Sequence, residues 1–250
     1  MESMDWFLSD LHMFSRRSIY HEHEDEILSR AAEARVFVLG GDIVDFSWTT
    51  LPSVEATIDA SMQWLTDLVE SNRNCQFHYL LGNHDCHADF VSRLGDVAEA
   101  NENFHWEPYF LRIGSAVMLH GDAVHLKQRT NLALATQRNR KHQFKQPEYR
   151  HQIYEMAIRS RLHAVVGKLA NPRRVVAGRI WDYLTNEKVD MGSSVQNVYF
   201  GHTHVPMSDY AFRGIHFHNG GASISGLKFN MLPMKLDGQC QPFADTSRLA

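Results

Sequence analysis

Five short apolar segments, each followed at once by polar residues, constrain the fold of this 250-residue chain more than any other feature. They span residues 5–9, 36–39, 77–81, 116–119 and 195–200. Short apolar runs bounded by glycine are typical of buried strands. Between them, apolar residues recur at helical spacing, at Ile27, Ala31 and Ala34 and again at Ile58, Met62, Leu65 and Val69. Strands alternating with helices predict an α/β fold of βαβ units around a largely buried sheet.

The residues that follow these segments are of types that bind metal ions. In chain order they are Asp10 and His12; Asp42 and Asp45; Asn83, His84 and Asp85; His120 and Asp122; and His202 and His204. In open α/β sheets, ligands gather at the carboxyl ends of strands, where all five sets fall. Carboxylate, imidazole and amide groups suit divalent or trivalent ions such as Mn, Fe or Zn, and the absence of cysteine argues against a structural zinc site.

The spacing within the first and the last of these sets predicts which side chains share one face of a strand. If both segments are extended, strand alternation places Asp10 and His12 on one face, and likewise His202 and His204. Each pair could then contact one metal ion. Any one of these motifs alone is more often structural, so the prediction of a metal site depends on the ordered set of five.

Composition is that of a globular protein, with 44% hydrophobic and 22% charged residues. No apolar run approaches the roughly 20 residues that a membrane-spanning helix needs, and the N-terminus lacks the basic region of a signal peptide. Three widely spaced cysteines indicate no disulfide framework. We expect a single domain over residues 1–250, located in the cytoplasm.

Charge is unevenly distributed along the chain. Residues 127–179 contain thirteen Lys or Arg and two Glu, although the formal net charge of the whole chain is −4. The region from about 127 to 190 also interrupts the strand–helix rhythm, and the apolar spacing of Ile158, Leu162, Val165 and Leu169 predicts an amphipathic helix that ends at Pro172. We interpret the region as a basic helical insertion that caps the core. Such asymmetry favours an anionic ligand there, and a solvated helical surface is the alternative.

The ordered motifs resemble the five-motif signature of the calcineurin-like metallophosphoesterases, from about residue 5 to 225. That resemblance implies a four-layer α/β/β/α sandwich, with the helical insertion before the last metal motif. It implies two metal ions (Mn, Fe or Zn) and a division of ligands between them. One ion would bind Asp10, His12 and His204, the other would bind Asn83, His120 and His202, and Asp42 would bridge both.

The resemblance also implies a reaction, the hydrolysis of a phosphate ester or pyrophosphate by a hydroxide that bridges two metals. His84 would stabilise the transition state or protonate the leaving oxygen, and Asp45 would orient His84. Asp85 and Asp122 are candidates for orienting metal ligands, with a purely structural role as the alternative, and His125 is a candidate for substrate contact.

The insertion and the Ser9–His12 opening are similar to the UDP-2,3-diacylglucosamine hydrolase branch, which cleaves a pyrophosphate in lipid A synthesis. The chain differs from that branch at His84, where the branch typically has arginine, and at residues 46–48. The resemblance favours a small anionic substrate such as a nucleotide-sugar-lipid pyrophosphate, with peripheral contact to membrane lipid at the inner face of a membrane. A phosphoprotein phosphatase and a nuclease are less favoured alternatives, and a non-catalytic protein-binding scaffold is the alternative of another class. The sequence does not fix the oligomeric state.

Overall fold

The computed structural model describes residues 4–140, 144–147, 150, 171–237 and 240–241. The strands are β1 (Asp5–Leu8), β2 (Val36–Leu39), β3 (Gln76–Leu80), β4 (Phe104–Glu107), β5 (Phe110–Ile113), β6 (Ala116–Leu119), β7 (Asn197–Phe200), β8 (Met207–Phe212), β9 (Ile215–Asn219), β10 (Leu232–Met234) and β11 (Cys240–Gln241). The helices are α1 (Glu24–Glu33), α2 (Val54–Ser71), α3 (Ala88–Ala100), α4 (Asn131–Arg140) and α5 (Arg173–Asn186), with 3-10 helices at Tyr20–Glu22 and Asp122–His125. The five predicted strands are therefore confirmed, with boundaries within two residues.

The strands form two sheets. The first has the order β10-β1-β2-β3-β4, in which β1 to β4 run parallel and β10 pairs antiparallel with β1. The second has the order β11-β5-β6-β7-β9-β8, with a parallel centre formed by β6, β7 and β9. Parallel centres bring the carboxyl ends of several strands to one edge of each sheet, and the polar motifs follow those ends.

Three apolar clusters show how the layers pack. One joins the first sheet to α1, α2 and α3, and includes Phe37 and Leu65. A second joins the second sheet to α4 and α5, and includes Phe217 and Ile180. The third lies between the sheets, where Phe7 of β1 and Tyr199 of β7 have ring centroids 6.1 Å apart. The order helices, sheet, sheet, helices is the predicted four-layer α/β/β/α sandwich.

Some elements differ from the sequence prediction. The apolar spacing indicated one buried sheet, whereas the chain forms two. Strand β4 is the edge strand of the first sheet, and β5, which follows it after a short connection, pairs with β6 in the second. The prediction did not include strands β4, β5 and β8 or helix α3.

The insertion is described at its two ends, as α4 and α5. The helix predicted between Pro147 and Pro172 lies almost wholly outside the described residues, so that helix and the capping role of the insertion stay predictions. The single-domain organisation over residues 1–250 also stays a prediction. Among the helices that the structure describes, none combines the length and the apolar character that crossing a membrane requires.

Candidate metal centre

Loops that follow β1, β2, β6 and β7 are joined by hydrogen bonds from one metal-binding motif to another. The backbone N–H of His12 donates to the carbonyl of Asp42 (3.0 Å), and that of Gly201 donates to the carbonyl of His120 (2.8 Å). The carboxylate of Asp10 accepts from the backbone N–H of His202 at 3.0 Å, which links the two sheets. These contacts bring residues up to 192 positions apart into one site.

The first group of candidate ligands consists of Asp10, His12 and His204. His204 Nε2 lies 3.2 Å from Asp10 Oδ1 and 3.2 Å from His12 Nε2. The side chains of Asp10 and His12 are fully buried, whereas that of His204 is 26% exposed. The group is therefore buried on the side of Asp10 and His12 and accessible to solvent on the side of His204.

The second group consists of Asp42, His120 and His202. His120 Nε2 lies 3.2 Å from Asp42 Oδ2 and 3.3 Å from Asn83 Oδ1, so the amide oxygen of Asn83 joins this group. The rings of His120 and His202 meet edge to face, with centroids 5.1 Å apart. Asp42 also belongs to a third group, with His12 and His84, and so stands between the two sides of the site.

The residues present fit a pair of metal ions. In each group the candidate ligand atoms lie within 4.8 Å of one another. Ligands at about 2.1 Å from a shared cation, in tetrahedral or octahedral geometry, are about 3.0–3.4 Å apart. The pairs His204–Asp10 and His120–Asp42 fall in that range at 3.2 Å, whereas His12 Nε2 and Asp10 Oδ1 are 4.0 Å apart. The Nε2 atoms of His12 and His204 lie 3.2 Å apart, within hydrogen-bond distance when one of them carries a proton, and both are placed to bind one cation when neither does.

Hydrogen bonds fix which nitrogen of two histidines faces the site. His12 Nδ1 donates to Asp45 Oδ2 (3.2 Å), and His120 Nδ1 donates to the carbonyl of Gly40 (3.1 Å). Nε2 of each ring therefore points into the site as the potential ligand atom, an arrangement common among metal-binding histidines. Burial lowers the pKa of His12 to about 4, so this imidazole is neutral and ready to bind a metal ion at neutral pH.

Charges differ between the other ligands. Burial and the charge of His120 lower the pKa of His202 to about 3. Burial alone would also lower the pKa of His120, but attraction from Asp42 and a hydrogen bond to it outweigh burial and raise the pKa to about 10. The same attraction from His120 holds the pKa of Asp42 well below its ordinary value, against the effect of burial. In the metal-free protein, Asp42 is thus stabilised as a carboxylate paired with protonated His120.

The backbone at these ligands is left-handed, not extended. The φ angles are 57° at Asp10, 48° at His12, 52° at Asp42, 65° at His202 and 55° at His204. The expectation that strand alternation aligns Asp10 with His12 and His202 with His204 is therefore wrong, because β1 ends at Leu8 and β7 at Phe200. His202 and His204 instead belong to different groups. Aspartate and histidine enter this region of φ more readily than most residues do, which helps them to occupy such turns.

Asp45 and His84 lie beside the ligand groups. His84 Nδ1 donates to Asp45 Oδ1 (3.0 Å), and Arg17 Nη2 donates to Asp45 Oδ2 (3.1 Å). Burial would lower the pKa of His84, but attraction from Asp45 and Asp42 raises it above its ordinary value. Arg17 was not among the predicted site residues, because its position seven residues after Asp10 carries no recognisable signal.

Asp85 makes no direct contact with either group. Its Oδ1 accepts from the backbone N–H of Gly82 (2.6 Å), and its Oδ2 accepts from the N–H of Ile43 (2.9 Å) and the hydroxyl of Tyr79 (2.7 Å). Burial, followed by the charge of Asp42, raises the pKa of Asp85 to about 6. Asp85 thus holds the loops that carry Asp42 and Asn83 against each other.

Asp122 and His125 lie in the turn after β6. Asp122 is buried and receives two hydrogen bonds from Arg138, both of 2.8 Å. The ring of His125, an exposed residue, lies 5.0 Å from the ring of His202 between centroids. His125 is therefore placed at the outer edge of the second ligand group.

Comparison with known protein families gives a match. The family model for calcineurin-like phosphoesterases matches residues 6–206, a range that contains every candidate metal ligand. No curated protein matches the chain. The family match assigns no branch and no substrate. With the four-layer fold and the Asp and His groups described above, it establishes that the chain belongs to the calcineurin-like phosphoesterase family.

Proposed function

We propose that the protein is a dinuclear metal-dependent hydrolase of phosphate esters or pyrophosphates. The observation that carries this proposal is the position of Asp42, whose carboxylate belongs to ligand groups on both sides of the site. Asp10, His12 and His204 would hold one ion, Asn83, His120 and His202 the other, and Asp42 both. When bound, two such ions supply an acidified water molecule for attack on phosphorus and positive charge for the phosphoryl oxygens.

The chain itself contributes a proton donor. Asp45 accepts the Nδ1 proton of His84, and this hydrogen bond holds the ring in one orientation. The raised pKa of His84 keeps the ring protonated to a higher pH than an ordinary histidine. His84 would then donate through Nε2 to a phosphoryl oxygen or to the departing oxygen, and the side chain is 13% exposed, which leaves it reachable from solvent.

Exposed positive charge on the insertion supports an anionic substrate. Lys127, Arg140, Arg173 and Arg174 are exposed at the described ends of the insertion. Positive surface charge favours the approach of phosphorylated molecules. With the resemblance to the UDP-2,3-diacylglucosamine hydrolases, this supports a nucleotide-sugar-lipid pyrophosphate or another small phosphodiester as substrate. An amphipathic basic insertion also supports a peripheral contact with anionic lipid.

A substrate screen with metal-loaded protein tests the proposal. Purified protein would be loaded with Mn²⁺, Fe²⁺ or Zn²⁺ and its metal content measured, with two equivalents expected. Hydrolysis would be followed with aryl phosphomonoesters and phosphodiesters, UDP-sugar lipids, nucleotides, cyclic nucleotides, phosphopeptides and single-stranded nucleic acid. Asp42→Asn is the matched control and should lose metal and activity together. Protein that binds two metal equivalents and hydrolyses none of these compounds would contradict the proposal and favour a protein-binding scaffold.

A further inference from the structure

Among the described residues of the basic stretch 127–179, Arg138 is the one Lys or Arg that is buried. It lies near the end of α4, and 4% of its surface is exposed. Its Nε and Nη2 donate to the two carboxylate oxygens of Asp122, each at 2.8 Å, and its Nη1 donates to the carbonyl of Pro108. A bidentate contact of this kind fixes both the position and the plane of the carboxylate.

The contact reaches the turn that carries His120. Asp122 follows His120 by two residues and is the first residue of the 3-10 helix Asp122–His125. Gly121, between them, has a φ of 109°, a region that glycine enters without steric cost. Because glycine itself restrains the backbone little, the direction of the turn depends on the contacts that hold His120 and Asp122. Arg138 holds one end through Asp122, and the hydrogen bond from His120 Nδ1 to Gly40 holds the other.

The main chain of Arg138 reaches a second loop of the same ligand group. The thiol of Cys86 lies 3.8 Å from the carbonyl oxygen of Arg138 and 3.5 Å from that of Asn83. Arg138 therefore contacts the His120 turn through its guanidinium and the Asn83 loop through Cys86. Both loops supply ligands of the second group, and within the described residues Arg138 makes no hydrogen bond or ion pair with Asp10, His12 or His204.

We propose that Arg138 is a positioning residue for the second metal site, holding the loops of Asn83 and His120 at the separation that a metal ion requires. The inference rests on the proposed function, since it presupposes two metal sites. It also makes α4, the first helix of the insertion, part of the support of the metal centre. Residues that orient metal ligands typically change metal affinity by about 10- to 100-fold when they are replaced.

Titration of the metal-free full-length protein with Co²⁺ alone, followed by absorption and calorimetry, tests the inference. In Arg138→Met we expect one equivalent to bind as in the wild type and the other to bind about 10- to 100-fold more weakly. Arg138→Lys keeps the charge but cannot make the bidentate contact. Its affinity for the weakened equivalent should lie between those of the wild type and Arg138→Met. Arg140→Met removes the same charge from an exposed position of the same helix and should bind both equivalents normally.

A double variant and a second single variant make the result decisive. Arg138→Met combined with Asp122→Asn should weaken the second equivalent no further than Arg138→Met alone, because both changes break the same contact. If Arg138→Met does not fold, as judged by circular dichroism and thermal unfolding of the metal-free protein, Asp122→Asn decides the question. Unchanged affinity for both equivalents, or equal weakening of both, overturns the inference.

The readout also separates this inference from the proposed function. Selective loss of the second equivalent supports the role of Arg138 even if the wild-type protein hydrolyses no phosphorylated compound. Conversely, an active wild-type enzyme whose Arg138→Met variant binds both Co²⁺ equivalents normally would leave the proposed function standing and reject the role of Arg138.

Discussion

Asp45 holds His84 through a hydrogen bond of 3.0 Å between Oδ1 and Nδ1, while its other oxygen accepts from His12 Nδ1 at 3.2 Å. One carboxylate therefore orients both a candidate metal ligand and the candidate proton donor. Burial would raise the pKa of Asp45, but attraction from His84 and hydrogen bonds from both histidines hold it well below its ordinary value. The rings of His12 and His84 meet nearly edge to face, with centroids 5.0 Å apart.

Replacing His84 by alanine should separate chemistry from metal binding. His84 lies outside the proposed ligand set, so both metals should stay bound, while loss of the proton donor should lower kcat by roughly 10²–10⁴-fold. Metal analysis and steady-state kinetics on the same preparation measure the two effects. His120→Ala serves as the contrast, because it should lose metal. Equal metal loss in the two variants would reject a distinct role for His84.

Replacing Asp45 by asparagine should affect both metal binding and catalysis. The amide keeps the shape of the side chain but lacks the charge that attracts His84 and the second carboxylate oxygen that accepts from His12. We expect affinity for the metal held by His12 to fall by about 10- to 100-fold. We also expect the alkaline limb of the rate profile to move to lower pH, because the proton donor His84 loses the main contribution that raises its pKa. A variant with lower kcat, an unshifted profile and normal metal affinity would show that Asp45 does not act through these histidines.

Gly82 should tolerate no side chain, because a Cβ there would lie 2.2 Å from Asp42 Oδ1 and 2.3 Å from the backbone nitrogen of Asp42. Gly82→Ala should therefore displace the proposed bridging carboxylate, weaken metal binding and destabilise the fold by about 1–3 kcal/mol. Gly95→Ala is the control, since nothing lies within 4 Å of a Cβ at that position of α3, and it should stabilise the fold by up to about 1 kcal/mol. Thermal unfolding and metal content measure both variants, and normal metal binding in Gly82→Ala would contradict the prediction.

The sequence predicted which polar residues the structure brings together better than it predicted which strands pair, for a physical reason. Strand ends such as Leu39 and Leu119 are marked by local changes from apolar to polar residues, and the ligands follow directly. Which strands pair is decided by long-range packing, which local patterns do not record. Hence β6 and β7 were identified, but their membership of a second sheet came only from the family resemblance.

Contacts made by side chains far from the motifs were not predictable. Arg138 was counted among residues that could meet an anionic ligand, yet it is buried against Asp122, which lies 16 positions earlier. Charge counts record composition and not burial, so they cannot distinguish a surface arginine from one that supports the core. The left-handed turns at Asp10 and His202 were missed for a related reason, since aspartate and histidine adopt several backbone conformations.

Metal binding at neutral pH should release about one proton from His120, because a metal ion binds only neutral imidazole. The pKa of about 10 means that His120 is protonated in the metal-free protein at pH 7, whereas His12, at about 4, and His202, at about 3, are already neutral. Affinity for the second metal should therefore rise with pH, by at most about tenfold per unit, until the pH approaches 10. Calorimetric titration in buffers with different ionisation enthalpies counts the released protons. Binding that is independent of pH between 6 and 8 would show that Asp42 does not hold a proton on His120.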